Sequence, residues 1–472
     1  MNIPKDVQQI ADILKQSGYE SYLVGGCVRD FILGKEPNDW DFCTNAVPDQ
    51  IIKTLEENSI PYLTIGKEYG TIVAMLNNEE YEITTYRYDG NYSDGRRPDS
   101  VTFASDIKDD LARRDFTINA IAYDVMNNVF VDPFHGQEDL KTGTLRAVGD
   151  ADTRIKEDAL RILRALRFAI RYELTIDNAL KDAVLSNKET INHISKERIT
   201  NEFHKIFKSG HKIHDIFMEY KDIIGVIIPE LKPCMHFNQN NRYHNHDVYE
   251  HILNVTDNCE TTKFEIKMAA LMHDIGKPDT YSMDEFGEGH FYGHAKKSRE
   301  ISENVLHNDF RVTAKECSHI LELVEYHDLE IPPSRKTVKR MLNKHGEEFI
   351  RNFAILKQAD IDDHINIKDE RGIPIVAWAD ISFLLPALEE ILQADECFSL
   401  KNLQINGADL IKIFNMRPGK EIGNTLNTLF ELVLNETIPN TKESLLNAAD
   451  ALLNQKDAAF TPPVMEEEFE LE

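Results

Sequence analysis

The chain has 472 residues, of which 42% are hydrophobic, and at about 100 to 200 residues per domain this length predicts three or four domains. Its formal net charge of −28 and its pI near 5.0 argue against indiscriminate binding to nucleic acid, because a polyanionic surface repels a polyanion. Any RNA-binding site must therefore be local.

Membrane insertion and secretion are not indicated by the sequence. The opening residues lack the charged and apolar regions of a secretory signal, and no later window approaches the roughly 20 apolar residues of a membrane span. The 6 cysteines are scattered without a CxxC pair, which is typical of a reducing compartment. We therefore expect a cytoplasmic protein with no membrane partner.

Short strand-like runs occupy the first 150 residues, namely SYLVGG, TIVAML, YEITTYRY and NVFVDPF, and they alternate with helical stretches and turns. From Thr153 to about Leu453, apolar residues recur at helical spacing instead, as in IKEDALRILRALRFAIRY. The fold class predicted is α+β multidomain, with a small α/β head followed by an all-helical remainder.

A glycine pair follows the first strand-like run, in SYLVGGCVRD. Gly25 and Gly26 would let the backbone approach a phosphate closely, and the start of the next helix offers free N–H groups. Arg29 adds a guanidinium that can bind phosphate oxygens. An ordinary turn is the alternative, but the aspartates that follow favour a nucleotide site.

Three acidic residues are candidate catalytic residues and metal ligands. Asp39 and Asp41 lie two positions apart in NDWDF, so on an extended strand they would point to the same face. Two such carboxylates suit Mg²⁺, which shares its coordination shell with substrate phosphates. The alternative is that they cap neighbouring loops. Glu82, in YEITTYR, could add a third carboxylate or could be an exposed strand residue.

The run GGCVRDFILGKEPNDWDF resembles the signature of the nucleotidyltransferase superfamily branch that contains bacterial CCA-adding enzymes and poly(A) polymerases. The similarity continues in order through DGRRPDSVTF, RRDFTINAIAYD and EDALRILRALRFA. This resemblance implies that Asp39 and Asp41 bind the catalytic Mg²⁺ ions. It also implies template-independent addition of CCA to the 3′ end of tRNA, with CTP and ATP as substrates and pyrophosphate as leaving group.

The RRDFTINAIA run supplies further nucleotide-binding candidates. Arg113 and Arg114 precede a run that we interpret as helix-forming, and both can reach a triphosphate or a ribose. Asp115 can hold one of these two arginines in place or accept a hydrogen bond from a sugar hydroxyl. A surface ion pair is the alternative reading.

A second group lies in EDALRILRALR, where Glu157, Asp158 and Arg161 would line one side of a helix at positions i, i+1 and i+4. Carboxylates and guanidinium groups match the donors and acceptors of base edges, and the family resemblance implies that this set selects CTP and ATP. An intrahelical salt-bridge ladder is the alternative. Arg164 and Arg167 continue along the helix and could bind the triphosphate or form a solvated face.

The segment TTYRYDGNYSDGRRPDSVTF is rich in Gly, Asp, Tyr and Arg, and this composition predicts a flexible loop. Relatives that add only the two cytidines lack an intact loop here. Arg96, Arg97 and Asp99 therefore favour addition of the terminal A as well.

Histidines and aspartates are concentrated further along the chain, in VYEHIL, LMHDIGKPDTY, FYGHAKKS, VEYHD and LKQADIDDH. This arrangement resembles the HD phosphohydrolase superfamily, and it implies a transition-metal site for an ion such as Ni²⁺, Co²⁺ or Mn²⁺. The candidates are His251, His273, Asp274 and Asp360 as metal ligands, with His294 and His327 as contacts of a second metal or a phosphate. Buried histidines bonded to backbone are the alternative for the last two.

Together these patterns predict five consecutive regions. They are a nucleotidyltransferase head with a mixed sheet (1–150), a helical neck for nucleotide selection (151–225), an HD-type helical body (226–370), a helical tail that binds tRNA (371–455) and a disordered acidic terminus (456–472). Two alternatives stay open. One is a poly(A) polymerase or A-adding enzyme, which should benefit from a broad basic surface, and the other is an HD phosphohydrolase with an RNA-binding head.

Overall fold

The structure is a computed structural model that describes residues 3–37, 39–90, 101–365, 367–369, 372–373, 375–394 and 398–454. The chain divides into two compact units, the first formed by residues 1–229 with 309–311 and the second by residues 230–308 with 312–472. Arg96, Arg97, Asp99 and the acidic terminus 456–472 lie outside the described residues.

The first unit begins with an α/β region and continues with helices. Its described helices are α1 (Lys5–Gln16), α2 (Gly26–Ile32), α3 (Pro48–Glu57), α4 (Ile107–Ala112), α5 (Gly136–Thr142), α6 (Ala151–Glu157), α7 (Leu160–Tyr172), α8 (Asn178–Ser186), α9 (Lys196–Lys208), α10 (His214–Glu219) and α11 (Lys221–Ile227). Its described strands are β1 (Tyr22–Val24), β2 (Asp41–Thr44), β3 (Tyr62–Leu63), β4 (Thr71–Leu76), β5 (Glu79–Thr85), β6 (Arg87–Asp89), β7 (Val101–Phe103), β8 (Ala122–Asp124), β9 (Val129–Val131), β10 (Thr144–Leu145) and β11 (Thr175–Ile176).

Seven strands form one mixed sheet in the order β3-β4-β5-β2-β1-β8-β9. The β2 and β5 strands are parallel, with Phe42 opposite Ile83, whereas the other neighbours in the sheet are antiparallel. Alternation of side chains buries one face of the central strands against α4, around Val24, Cys43 and Leu111. The predicted α+β class with a mixed sheet is confirmed.

Helix α7 ties the helical part of this unit together. Its sequence LRILRALRFAIRY places apolar residues at helical spacing, and all residues from Leu160 to Ile170 except Arg164 are buried. The α7 helix packs against α9, and Phe168 packs edge-on against Phe116 at a ring distance of 5.7 Å. Burial of α7 therefore fixes the positions of its arginines relative to the rest of this unit.

The second unit is almost entirely helical. Its described elements are α12 (Val248–Asn258), α13 (Phe264–Met272), α14 (Lys277–Thr280), β12 (Ser282–Met283), β13 (Gly289–His290), α15 (His294–Asn308), α16 (Ala314–Tyr326), α17 (Arg335–Asp363), α18 (Leu384–Gln393), α19 (Gly407–Phe414), α20 (Lys420–Leu434) and α21 (Lys442–Asn454).

Local sequence explains several helix boundaries in this unit. Asp247 caps α12 by accepting a hydrogen bond from the Glu250 N–H, and Thr313 forms a capping box with Glu316 at the start of α16. Helix α17 is interrupted at Gly346, whose φ of 83° lies in the left-handed region.

Leu410, Leu429 and Leu445 lie in a separate small core formed by α19, α20 and α21. In the described residues, none of the helices is long and apolar enough to cross a membrane.

Candidate active site

A cavity of about 620 Å³ opens in the first unit. Its lining is Gly25, Gly26, Arg29, Asp41, Tyr69, Arg87, Arg113, Arg114, Asp115, Asn119, Asp158, Leu160, Arg161, Arg164, Phe168 and Arg198. Seven of these residues are arginines and three are aspartates. In a chain with a net charge of −28, so local an excess of arginine suits a polyphosphate.

The glycine pair forms one wall of the cavity. Gly25 precedes α2 with a φ of 73°, which favours glycine, and a Cβ there would lie 3.1 Å from Nη1 of Arg114. Arg29, one turn into α2, is buried and donates to Asp30 through Nε at 3.0 Å and to Oδ1 of Asn119 through Nη1 at 2.5 Å. Its guanidinium also stacks on the Tyr172 ring at 4.6 Å. Other protein groups therefore hold Arg29 in place at the cavity wall.

The three predicted acidic residues occupy different local structures. Asp41 is the first residue of β2, and the parallel pairing of β2 with β5 places Glu82 beside it. Asp39 lies before the strand begins and is exposed, so only Asp41 of the predicted pair belongs to the strand. Asp41 lines the cavity, whereas Asp39 and Glu82 do not belong to its lining.

Electrostatics couples these carboxylates. Burial, reinforced by the negative charges of Glu82 and Asp39, raises the pKa of Asp41 to about 6, although Arg114 opposes the shift. A divalent cation would reduce the electrostatic repulsion between this partly buried carboxylate and the other two. The donor set of hard oxygen ligands therefore fits Mg²⁺.

The RRD run follows α4, but the residues after it do not form the expected helix. A short 3-10 turn at Thr117–Asn119 leads into β8 instead. Asp110, which is fully buried, accepts from Nη2 of Arg113 at 2.8 Å and from Nη2 of Arg114 at 3.2 Å. Backbone pairing to the sheet overrides the helical propensity of this run.

Asp115 is buried and binds Arg164 of α7. Its Oδ2 accepts from Nε of Arg164 at 2.8 Å and from Nη2 at 2.5 Å. Burial alone would raise the pKa of Asp115, but the charge of Arg164 and hydrogen bonds from Asn119 and the Phe116 N–H hold it well below its usual range. Asp115 is thus an ionised group that positions Arg164 in the cavity.

The Glu157, Asp158 and Arg161 set does not lie on one helix. Helix α6 ends at Glu157 and α7 begins at Leu160, while Asp158 has extended backbone (φ −145°, ψ 105°). This break turns Asp158 into the cavity together with Arg161, whereas Glu157 is not part of the lining. Glu157 instead accepts from Nη1 of Arg161 at 2.5 Å. The prediction that the three residues line one side of a single helix is therefore wrong.

The two remaining arginines predicted to bind the nucleotide lie in different surroundings. Arg164 lines the cavity, whereas Arg167 is outside its lining and forms a buried ion pair with Glu202 of α9 at 2.5 Å. Sequence reasoning missed Arg198, whose Nη2 donates to Oδ2 of Asp158 at 2.8 Å across 40 positions. It also missed Asn119, although that residue lies within the RRDFTINAIA motif. No local pattern marked Arg198, because its role arises from the packing of α9 on α7.

A second cluster lies in the second unit, where α12, α13, α15, α16 and α17 meet. His251, His273 and Asp274 form one group of three donors within 4.8 Å of one another, and Asp274, His294 and His327 form another. Asp360 lies 3.2 Å from Nε2 of His251. The structure therefore brings all six predicted residues together.

Asp274 is shared between the two groups. Its Oδ2 lies 3.2 Å from Nε2 of both His251 and His273, while its Oδ1 lies 3.3 Å from His294 and 3.4 Å from His327. Buried Oδ1 accepts no hydrogen bond within the described residues. An orphaned carboxylate oxygen beside two imidazole nitrogens fits a metal ion, and the sharing of Asp274 allows two.

The charges and hydrogen bonds around this cluster suit binding of a metal ion by its carboxylate and imidazole groups. Burial would raise the pKa of Asp274, but His273 and Lys277 hold it well below its usual range, so the carboxylate is ionised. The Nζ of Lys277 lies 2.6 Å from Oδ2 of Asp274 and 2.9 Å from Oε1 of Gln239. Asp363 bonds Nδ1 of His251 at 2.6 Å, which orients the ring so that Nε2 faces the cluster. Sequence reasoning did not single out Lys277 or Asp363 as members of the site.

Family models match four consecutive stretches of the chain. They are the poly A polymerase head domain over residues 21–146, the "Probable RNA and SrmB-binding site of polymerase A" over 173–234, the HD domain over 248–364 and a tRNA nucleotidyltransferase domain 2 over 373–449.

CCA-adding enzymes of several bacteria are similar to this chain, some over nearly its whole length and others over less than half of it. A CCA-adding enzyme of Staphylococcus haemolyticus is 30% identical over 93% of this chain and 95% of its own, and one of Lactobacillus helveticus is 31% identical over 92% and 94%. A CCA-adding enzyme of Oceanobacillus iheyensis is 44% identical over 43% of this chain and 49% of its own.

Solved structures share the fold. The Bacillus stearothermophilus CCA-adding enzyme in complex with CTP matches with a TM-score of 0.68 and 23% identity, over 96% of this chain and 99% of that one. The Thermotoga maritima CCA-adding enzyme complexed with tRNA matches with a TM-score of 0.59 and 19% identity, over 95% of both chains.

Proposed function

Since this chain belongs to the family of bacterial CCA-adding enzymes, the CCA tRNA nucleotidyltransferases, we propose that it rebuilds the CCA end of tRNA from CTP and ATP. The 3′-hydroxyl of the RNA attacks the α-phosphate of the nucleotide, a new P–O bond forms and pyrophosphate leaves. The observation that carries this proposal is the cavity that combines Asp41, Gly25 and seven arginines.

Asp39, Asp41 and Glu82 would hold Mg²⁺ at the edge of the cavity. When bound, Mg²⁺ supplies charge neutralisation at the triphosphate and activation of the attacking hydroxyl. The backbone at Gly25 and Gly26 leaves space for phosphate oxygens, and Arg29 and Arg114 contribute positive charge at that wall.

Asp158 and Arg161 would choose the nucleotide. Both line the cavity, and their carboxylate and guanidinium groups can bond an exocyclic amine and a ring acceptor of cytosine or adenine. Glu157 acts on Arg161 through their ion pair, and Arg198 holds the Asp158 carboxylate. Addition of the terminal A also rests on Arg96, Arg97 and Asp99, which stay predictions from the sequence.

The proposal is tested by incubating the protein with a tRNA that ends before CCA, with CTP and ATP, and sequencing the 3′ ends. CCA ends support it. CC, single-A or poly(A) ends would identify one of the other template-independent activities. Hydrolysis of phosphoesters without any nucleotide transfer would instead support the phosphohydrolase with an RNA-binding head.

A second activity is favoured by the two donor groups that share Asp274. We propose that the cluster binds a transition metal such as Ni²⁺, Co²⁺ or Mn²⁺ and hydrolyses a phosphoester, since imidazole ligands favour these ions over Mg²⁺. The metal would supply an activated water, and Lys277 beside Asp274 offers a positive charge for a phosphate oxygen. Metal analysis of the purified protein, with phosphatase and phosphodiesterase assays, tests this activity.

The match to the tRNA nucleotidyltransferase domain 2 over residues 373–449 supports a role of the helical tail in holding the tRNA elbow. Truncation before residue 373 should then weaken binding of full tRNA more than binding of a short acceptor-stem RNA. Equal loss for both RNAs would contradict this role.

A further inference from the structure

Asn119 is a buried amide in the wall of the nucleotide cavity, with only 6% of its surface exposed. Its Oδ1 accepts from Nη1 of Arg29 at 2.5 Å, and its Nδ2 donates to Oδ1 of Asp115 at 2.9 Å. Both ends of one side chain are therefore used, one toward a cation and the other toward an anion.

Each partner of Asn119 leads to a different element. Arg29 belongs to α2, which follows the glycine pair, and Asp115 binds Arg164 of α7 through its other oxygen. The backbone carbonyl of Asn119 also lies 3.4 Å from Nη1 of Arg114. One residue thus contacts, directly or through Asp115, three arginines that line the cavity.

We propose that Asn119 is a positioning residue that holds Arg29 and Arg164 at fixed places for the triphosphate and ribose of the bound nucleotide. The amide is the chemical group that can accept from a guanidinium and donate to a carboxylate without adding charge. It connects Arg29, which is also paired with Asp30, to Asp115, which binds Arg164. A hydrogen bond to a charged group is worth more than a neutral one, which makes the position sensitive to substitution.

The inference rests on the proposed nucleotide transfer, and its test separates the two. CTP affinity is measured by titration, and kcat and KM are measured for CTP and ATP addition to truncated tRNA. Three variants are compared, namely Asn119→Ala, Asn119→Asp and the control Asn187→Ala. Asn119→Asp preserves the side-chain volume and the acceptor for Arg29, but it loses the donor to Asp115 and adds a negative charge.

Asn187 is a matched control because it is a buried asparagine of the same unit, 8% exposed, that donates to Asp152 at 2.8 Å and lies outside the cavity lining. Its replacement should lower Tm much as Asn119→Ala does and leave CTP binding unchanged.

We expect both Asn119 variants to raise the Kd and KM for CTP and ATP about tenfold, with kcat changed much less, because binding is lost equally in ground and transition states. The effect should be the same for the two nucleotides, since the triphosphate and ribose are common to both. CTP binding within twofold of wild type in either Asn119 variant, or an equal loss in Asn187→Ala, would overturn the assignment. If the wild-type protein binds CTP but transfers no nucleotide, the transferase proposal is contradicted, while CTP affinity still tests the role of Asn119. If the wild-type protein binds no CTP, both proposals are contradicted.

Discussion

The Asp41 carboxylate should lower the stability of the metal-free protein when it is ionised. Burial and repulsion from Glu82 and Asp39 raise the pKa of its carboxyl to about 6, well above the ordinary value near 3.9. A raised carboxyl pKa means that the folded state is disfavoured once the group ionises. The penalty is absent below about pH 4, grows between pH 4 and 6 and is complete above that range.

Asp41→Asn should therefore stabilise the metal-free protein at pH 8, by up to about 3 kcal/mol, and should have no effect near pH 4. The same change should abolish nucleotide transfer, because it removes a metal ligand. Unfolding of EDTA-treated protein is measured across this pH range, with Asp215→Asn, whose side chain is fully exposed, as control. Near-normal transfer, or a stability difference independent of pH, would contradict the assignment. Asp39→Ala should also lose transfer while RNA binding persists.

Arg161 and Arg164 line the same cavity but should have different effects on substrate choice. Arg161→Ala should reduce discrimination of CTP and ATP against UTP and GTP by about tenfold, because we propose that its guanidinium reads base edges. Arg164→Ala should lower kcat/KM for all four nucleotides alike. Asp115 holds Arg164 at the cavity wall, where we propose that it contacts the triphosphate and ribose that all four nucleotides share. The measurement is kcat/KM for each nucleotide. A uniform fall for Arg161→Ala, with discrimination unchanged, would refute base reading by this residue.

At the scale of elements, α7 and α9 are joined by the buried pair of Arg167 and Glu202. Burial would raise the pKa of Glu202, but Arg167, together with Lys205 and Arg164, lowers it below its usual range. Its contribution to stability is therefore present above the ordinary glutamate pKa near 4.3 and is lost as the pH falls below that value. Because α9 also carries Arg198, this pair helps to hold the arginine that contacts Asp158.

Glu202→Leu alone should lower the free energy of unfolding by about 3–5 kcal/mol, because it leaves the Arg167 charge buried without its partner. The double variant Arg167→Met with Glu202→Leu should recover most of this loss. Urea unfolding of the single and double variants measures the coupling, and CTP titration of the double variant tests nucleotide contact. A stable double variant that no longer binds CTP would show that Arg167 has the nucleotide role predicted from the sequence.

At the scale of the whole molecule, the two candidate sites belong to different compact units and use different ligand types. Carboxylates at Asp39 and Asp41 suit Mg²⁺, whereas histidines at His251 and His273 favour Ni²⁺, Co²⁺ or Mn²⁺. Each site should therefore respond to its own metal.

Asp274→Ala should remove bound transition metal and any phosphoester hydrolysis while CCA addition falls no more than a few-fold. Metal analysis and both activity assays check this outcome, after thermal melting has shown that the variant is folded, since Asp274 is buried among charged partners. Asp328→Ala is the control, because Asp328 lies 3.9 Å from Nδ1 of His294 and its side chain is 62% exposed. Loss of both activities in folded Asp274→Ala would show that the two sites work together.

Contiguous motifs were enough to predict the family, the α+β class and the residue types at both sites, because neighbouring residues share one local geometry. The glycine pair next to Arg29 and the adjacent His273 and Asp274 needed no tertiary information. Their chemistry follows from side-chain identity and spacing. The exact local conformation was less predictable, as shown by the break at Asp158.

Only the tertiary structure decided which distant residues meet. The parallel pairing of β2 with β5 places Glu82 beside Asp41, and the packing of α9 on α7 brings Arg198 to Asp158 and Glu202 to Arg167. Sheet register and helix packing depend on the burial of many apolar side chains at once, so a local sequence pattern does not predict them. For this reason the sequence determined what chemistry the chain contains, while the packed fold decided which arginines face the cavity and which serve to hold it together.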